Sequence, residues 1–263
     1  MNNLWNDSEA SNYQDDLAVR VYTSRLLGQE SALVLHGGGN TSVKSSATNI
    51  FGESEELLYV KGSGWDLATI EPAGFAPVKL SVLKQMAKLS ELSDLDMVQT
   101  QRSAMTNPSA PNPSVEAILH AIIPFKYVDH THADAVVTIT NTADGMERIK
   151  QIYGNRILIV PYVMPGFVLA KQVYDITKNV DWNQLEGMIL LNHGVFTFAD
   201  NAKTSYTNMV NLVTEAENYL QKNTITNNLT SKIDLLELAK LRKKISTIKG
   251  CAVVTKLNTD AAN

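Results

Sequence analysis

The chain has 263 residues, with 23 Lys+Arg against 27 Asp+Glu, 44% hydrophobic residues and a single cysteine. That length carries a full core without covalent staples, and one thiol, Cys251, excludes an internal disulfide framework and fits a reducing cytoplasm. A formal net charge of -4 gives no general attraction for phosphate backbones, so composition speaks against nucleic acid as a partner.

The polar start, Met1-Asn2-Asn3-Leu4-Trp5-Asn6-Asp7, has neither the basic nor the apolar region of a signal peptide. No apolar stretch approaches the roughly 20 residues of a membrane helix, so a soluble cytoplasmic protein that avoids membranes is expected. Asp16 to Leu27 reads as an opening helix, and Ala32 to Leu35 as a short strand running into the turn His36-Gly37-Gly38-Gly39-Asn40-Thr41-Ser42. A second strand, Glu56 to Val60, ends in Lys61-Gly62-Ser63-Gly64, and Val78 to Leu89 has helical apolar spacing. Three prolines make Asn107 to Pro113 an ordered loop, which stops where Ser114 is placed to cap a helix from Val115 to about Ile122.

Tyr127 to His132, Ile157 to Tyr162, Gly187 to Leu191 and Val195 to Phe198 are strand-like, rich in Val, Ile, Leu and aromatic residues. Helical patterns lie between and after them at Gly145 to Tyr153, Phe167 to Lys178 and Lys203 to Lys222. This alternation predicts an α/β fold in which helices cover a sheet. Thr224 to Thr230 reads as a linker to one amphipathic helix, about Ser231 to Ile245, and an apolar tail at Ala252-Val253-Val254. The basic run Lys240-Leu241-Arg242-Lys243-Lys244 falls on the solvated face of that helix. The expected division is a main domain over 1–223 and a linker, helix and tail over 224–263.

The chemistry is expected from the five histidines, at 36, 120, 130, 132 and 193. On a strand, His130 and His132 project from one face while Thr131 points away, which makes half of a metal site or a pair of hydrogen-bonded imidazoles. In Leu190-Leu191-Asn192-His193-Gly194-Val195, a strand delivers His193 to a turn beside a glycine that lets the backbone come close. Three histidines from two strand ends suggest a divalent transition metal, zinc above all, with an open position for chemistry.

Glu116 and His120, four residues apart, share a helix face, and each reads as a further ligand, a base or a plain side-chain pair. The turn Gly37 to Ser42 suits a phosphate or a tight connection between strands. It fails the dinucleotide fingerprint and the phosphate-loop pattern, and an esterase reading of His36-Gly37-Gly38-Gly39 has no Gly-x-Ser-x-Gly nucleophile to go with it.

Five motifs occur in the order and approximate separations of the class II aldolase/adducin family. They are Gly39-Asn40-Thr41-Ser42, Lys61-Gly62-Ser63-Gly64, Pro113-Ser114-Val115-Glu116, His130-Thr131-His132 and Leu191-Asn192-His193-Gly194. The set spans roughly Asp15 to Lys222 and resembles that family. Within it, Val160-Pro161-Tyr162-Val163-Met164-Pro165-Gly166-Phe167 is most similar to the aldolase portion of bifunctional rhamnulose-phosphate aldolase/alcohol dehydrogenases.

The resemblance implies a three-layer α/β/α fold around a mainly antiparallel sheet, and a homotetramer with sites between subunits. Carried over by position, His130, His132 and His193 are metal ligands for zinc or another divalent ion, and Glu116 is the catalytic carboxylate. Asn40, Thr41, Ser63, Gly64 and Ser114 are implied to hold the phosphate of a small sugar substrate, and Tyr162 is implied to transfer a proton in a neighbouring subunit's site. His120 matches a position that is not a ligand, which implies a structural role.

The implied activity is cleavage of a ketose 1-phosphate to dihydroxyacetone phosphate and an aldehyde. Sugar-phosphate epimerases, a methylthioribulose-phosphate dehydratase and non-catalytic adducin-like modules share the scaffold. Two departures stand out: Val115 replaces a second serine of the fuculose-phosphate enzymes, and the chain lacks the dehydrogenase domain of the bifunctional relatives, so a fragment, a split gene product or a shorter paralogue is expected.

Overall fold

The structure, a computed structural model, describes residues 1–223 and 234–255. The chain separates into two units, Met1–Asn223 and Thr224–Asn263, each treated by itself below. In the first unit the helices are α1 (Asp7–Ala10), α2 (Asp16–Gly28), α3 (Leu80–Met86), α4 (Asp94–Ser103), α5 (Ala117–Ile122), α6 (Asp134–Thr140), α7 (Gly145–Tyr153), α8 (Phe167–Ile176) and α9 (Ala202–Asn223). The strands are β1 (Asn40–Thr48), β2 (Ser54–Lys61), β3 (Phe75–Lys79), β4 (Tyr127–Thr131), β5 (Ile157–Val160), β6 (Gly187–Leu190) and β7 (Gly194–Ala199).

The seven strands form one sheet in the order β3-β2-β1-β4-β7-β6-β5. Neighbours are antiparallel except for the parallel pair β5 and β6. Strand alternation sends Val128, Met188, Leu190, Phe196 and Phe198 to one face, where they pack with Leu83, Met97, Leu119 and Val173 from α3, α4, α5 and α8. It sends Ile157, Ile189 and Val195 to the other face, against Val21, Leu27, Val136, Ile149 and Val213 from α2, α6, α7 and α9. Helices on both faces of a mainly antiparallel sheet make the three layers expected above.

Several elements differ from the sequence reading. Ala32–Leu35 is not a strand: Leu33 and Val34 both donate backbone bonds to Glu30 O, curling the segment into turns that press the two side chains into the core. The strand lies after the glycine turn instead, as β1, whose polar Asn-Thr-Ser-Val-Lys-Ser-Ser-Ala-Thr lacks the usual apolar signature. Val78 to Leu89 splits into the end of β3 and the short α3. The β-branched run Val136-Val137-Thr138-Ile139-Thr140, to which the sequence reading assigns no element, is helical in α6, where Val136 and Ile139 are buried against the sheet and packing overrides propensity.

The second unit contains α10 (Leu235–Lys249), capped by Asp234, whose carboxylate accepts from Leu236 N and Glu237 N, and ended by Gly250 in the left-handed region. Lys240, Leu241, Arg242, Lys243 and Lys244 are exposed on it. The expected linker Thr224 to Thr230 and the first residues of the expected helix, Ser231 to Ile233, lie outside the described residues.

Candidate metal centre and active site

Register brings the site together. Asn40, the first residue of β1, pairs with His130 of β4, and Thr131 of β4 pairs with Val195 of β7. The centre of the sheet therefore delivers His130 and His132 beside the tight β6 to β7 connection that carries His193. Asn192 takes φ 57 at that connection, held by bonds from its amide nitrogen to Asn141 Oδ1 at 2.7 Å and to Thr140 O at 3.2 Å. Gly194 follows because nothing larger fits: a Cβ there would lie 2.4 Å from Thr131 O, 3.0 Å from His130 Cε1 and 3.2 Å from His132 Cδ2.

The three imidazoles each offer one ligand atom, and these atoms lie within 4.8 Å of one another. His130 is fully buried and stacks on Phe196 with ring centroids 4.1 Å apart. Its Nδ1 donates to Val195 O at 3.1 Å, which leaves Nε2 as a lone pair. That Nε2 faces Glu116 Oε2 at 3.5 Å, and His193 Nε2 faces Glu116 Oε1 at 3.6 Å. His130 Nε2, His193 Nδ1 and Glu116 Oε1 are buried without a hydrogen-bond partner. Clustered ligand atoms on three histidines, with orphaned buried atoms on two of those rings and on the adjacent carboxylate, suit a divalent transition metal, so these residues fit such an ion.

Burial governs the charges. His130 is held well below the ordinary imidazole range by desolvation and then by the nearby His193 and His132. Desolvation also lowers His132, with Lys61 adding to it, and lowers His193, which Glu116 pulls partly back. All three therefore favour the neutral, ligating form. Burial pushes the Glu116 carboxyl up, while His193 and a hydrogen bond from Asn40 pull it down.

Glu116 itself is set by the proline loop. Gly62 bridges Pro113, a Cβ at Gly62 would strike Pro111 at 2.2 Å, and Ser114 N donates to Lys61 O at 3.1 Å. The expected Ser114 cap exists in modified form: its Oγ accepts from Glu116 N at 3.2 Å, and Glu116 occupies the position just before α5 rather than a place in its first turn.

An open cleft of about 340 Å³ lies over these groups, lined by Lys61, Ser63, Gly64, Ser114, Glu116, His132, His193 and the glycines of the 37–39 turn. Lys61 spans it, donating from Nζ to Gly37 O at 2.9 Å. The sequence reading leaves Lys61 without a role; a lysine closing an apolar strand at a glycine turn was the available signal.

The expected residues do not all reach this cleft. Alternation along β1 turns Thr41 to the opposite face, where its Oγ1 lies 2.8 Å from Ser24 Oγ, so its side chain does not reach the lining. Asn40 does line the cleft, but its amide already joins Glu116 and His120. Tyr162 is 52% exposed and outside the cleft of its own chain. His36 is exposed, with φ 52.

Residues 19–220 match the family described as Class II Aldolase and Adducin N-terminal domain. The chain belongs to the class II aldolase and adducin family. It is 35% identical over 217 residues to a Bacillus subtilis (strain 168) protein named as the uncharacterized oxidoreductase YuxG, covering 82% of this chain and 31% of that protein. The chain thus spans less than a third of the length of this curated relative.

The N-terminal class II aldolase domain of a conserved Thermoplasma acidophilum protein superposes with TM-score 0.76 at 40% identity, over 84% of this chain and 99% of that one. A sugar-phosphate aldolase from Thermotoga maritima has TM-score 0.53 at 14% identity, over 80% of this chain and 96% of that one, a likeness of fold alone. Among the described residues, no helix is long and apolar enough to cross a membrane.

Proposed function

We propose that this chain is a metal-dependent aldolase that cleaves a (deoxy)ketose 1-phosphate such as rhamnulose 1-phosphate to dihydroxyacetone phosphate and an aldehyde. The observation that carries this reading is the juxtaposition of Glu116, with its partnerless Oε1, and three clustered histidines beside a cleft rimmed by Lys61, Ser63, Gly64 and Ser114. Cleavage between C3 and C4 leaves an electron pair on C3, and a divalent ion held by His130, His132 and His193 supplies Lewis-acid stabilisation of that charge. Zinc suits three imidazoles.

Glu116 delivers a proton to C3 in cleavage and removes it in synthesis. Its burial among the histidines suits a carboxyl that has to exchange protons rather than stay permanently ionised. Lys61, Ser63, Gly64 and Ser114 hold the phosphate, with charge from the lysine and donors from the hydroxyls and the Gly64 backbone. Tyr162 takes the C4 hydroxyl proton in the site of a neighbouring copy within a homo-oligomer, the tetramer of the resemblance. Its exposure, with Met164 70% and Val168 62% exposed nearby, supports a surface that a second copy covers.

YuxG, named an oxidoreductase and more than three times the length matched, supports the resemblance to bifunctional aldolase/dehydrogenases. The cytoplasm, where sugar phosphates occur, is the proposed location.

The test is a coupled assay for dihydroxyacetone phosphate over a panel of ketose 1-phosphates with the metal-loaded protein, repeated with chelator. Release that chelator abolishes and zinc restores is expected. Absence of dihydroxyacetone phosphate with every substrate, or epimerised or dehydrated product in its place, refutes the aldolase reading.

A further inference from the structure

Behind Glu116 the buried polar groups of β1 and α5 form one hydrogen-bonded file. Ser42 Oγ lies 2.8 Å from His120 Nδ1, His120 Nε2 contacts Asn40 Oδ1, and Asn40 Nδ2 donates to Glu116 Oε2 at 2.6 Å. Ser42 and His120 are fully buried, and Asn40 and Glu116 are 7% and 5% exposed. Ser42 and His120 are shut off from solvent, so their donors have to meet acceptors within the file.

That requirement fixes its direction. An amide oxygen only accepts, so His120 carries its proton on Nε2, and the bare Nδ1 then accepts from the Ser42 hydroxyl. With its oxygen committed to His120, the Asn40 amide has only its NH2 to turn towards Glu116. The reversed amide would set a carbonyl oxygen against a carboxylate oxygen. Burial, with Lys44 and Arg20 nearby, keeps the His120 ring neutral, well below the ordinary imidazole range. The outcome is that Glu116 Oε2 is occupied while Oε1 stays partnerless towards His193.

We propose that Ser42, His120 and Asn40 are positioning residues that decide which carboxylate oxygen of Glu116 is presented to the reacting centre. The inference rests on the role given to Glu116 under the proposed function. It also gives Asn40 a task other than the phosphate contact that the resemblance implies, and His120 one beyond packing. A carboxylate on a flexible side chain is of use only when held, since a displacement of about 1 Å at a reacting group costs on the order of 100-fold in rate.

Two measurements test it. The first is the 15N spectrum of histidine-labelled, metal-free protein, with His120 assigned through its own backbone correlations, which needs no variant to fold. The expected signature is a protonated Nε2 and a bare Nδ1 that persist through pH 6.5, where a free imidazole titrates. A proton on Nδ1, or a doubly protonated ring at that pH, overturns the relay.

The second compares His120→Leu with His120→Gln, whose side-chain amide is able to donate to Asn40. His120→Leu is expected to lower kcat about 10-fold or more with KM and metal content nearly unchanged, and His120→Gln to recover most of that loss. Equal losses in both variants, or a loss confined to KM, overturn the proposal. If the unsubstituted protein cleaves no ketose 1-phosphate, the aldolase reading fails by itself, and the 15N spectrum still decides the relay.

Discussion

Replacing Gly194 by Ala tests the geometry of the metal centre without removing a ligand. The added methyl carbon would lie 2.4 Å from Thr131 O, where ordinary contact begins at 3.4 Å, so a backbone carbonyl in the middle of the sheet or the β7 terminus itself has to move by about 1 Å. The same carbon approaches His130 Cε1 at 3.0 Å and His132 Cδ2 at 3.2 Å, so both rings are pushed off their positions at once. The His130 ring and the Thr131 carbonyl have no easy way out, because His130 is stacked on Phe196 and bonded to Val195 O, and Thr131 is paired with Val195.

Overpacking of this kind costs about 1–3 kcal/mol of stability. Displacing two of three ligands is expected to weaken zinc binding by about 10- to 100-fold or more. Competition with a chromophoric chelator reads the affinity, and urea denaturation of the metal-free protein reads the stability. A Gly194→Ala protein with unchanged zinc affinity and an unchanged urea midpoint would refute the assignment of this junction as the tight part of the centre.

Other expectations address separate parts of the structure. Glu116→Gln, close to isosteric, should keep one divalent ion per chain and lose about 100-fold or more of dihydroxyacetone phosphate release, with turnover near that of the unsubstituted protein counting against Glu116 as the proton carrier. Arg20 and Asp129 form an ion pair with both side chains fully buried. Arg20→Met should therefore cost about 3–5 kcal/mol in urea denaturation by leaving the carboxylate uncompensated, and a cost under about 1 kcal/mol would contradict that burial.

The pH dependence has a definite sign. Burial depresses His120 and His130 well below 6.5, so above that pH both are neutral folded and unfolded. Below it the unfolded chain takes protons that the native protein refuses, and the metal-free protein should lose about 1.4 kcal/mol per pH unit for each ring. Glu116, pushed up by burial, works in the opposite sense. Denaturation of His120→Gln from neutral pH downward isolates the His120 share, which should appear as a shallower slope; an identical slope would deny that His120 is buried and neutral.

Much of the centre was legible because it obeys short-range rules. Period-two alternation puts His130 and His132 on one side of a strand whatever lies around them, and an apolar run ending in Asn-His-Gly announces a turn that delivers His193. Alternating strand and helix patterns likewise led to a helix-covered sheet. The errors came where tertiary packing overrode local preference. Leu33 and Val34 look like strand and serve as core plugs in a turn, and β1 looks like loop because its strand sequence is polar.

The sequence by itself therefore determined the family, the identity of the candidate ligands and the order of the motifs along the chain. Tertiary structure alone decided which neighbours share a site. Asn40 meets Glu116 across 76 residues and His120 across 80, contacts that exist only because β1 pairs with β4 in one register. The same register, with side chains alternating by two, turns Asn40 and Ser42 towards α5 and sends Thr41 away to Ser24. A shift of one residue would exchange those sets. Side-chain direction is a consequence of pairing between strands distant in sequence, and no local pattern encodes it.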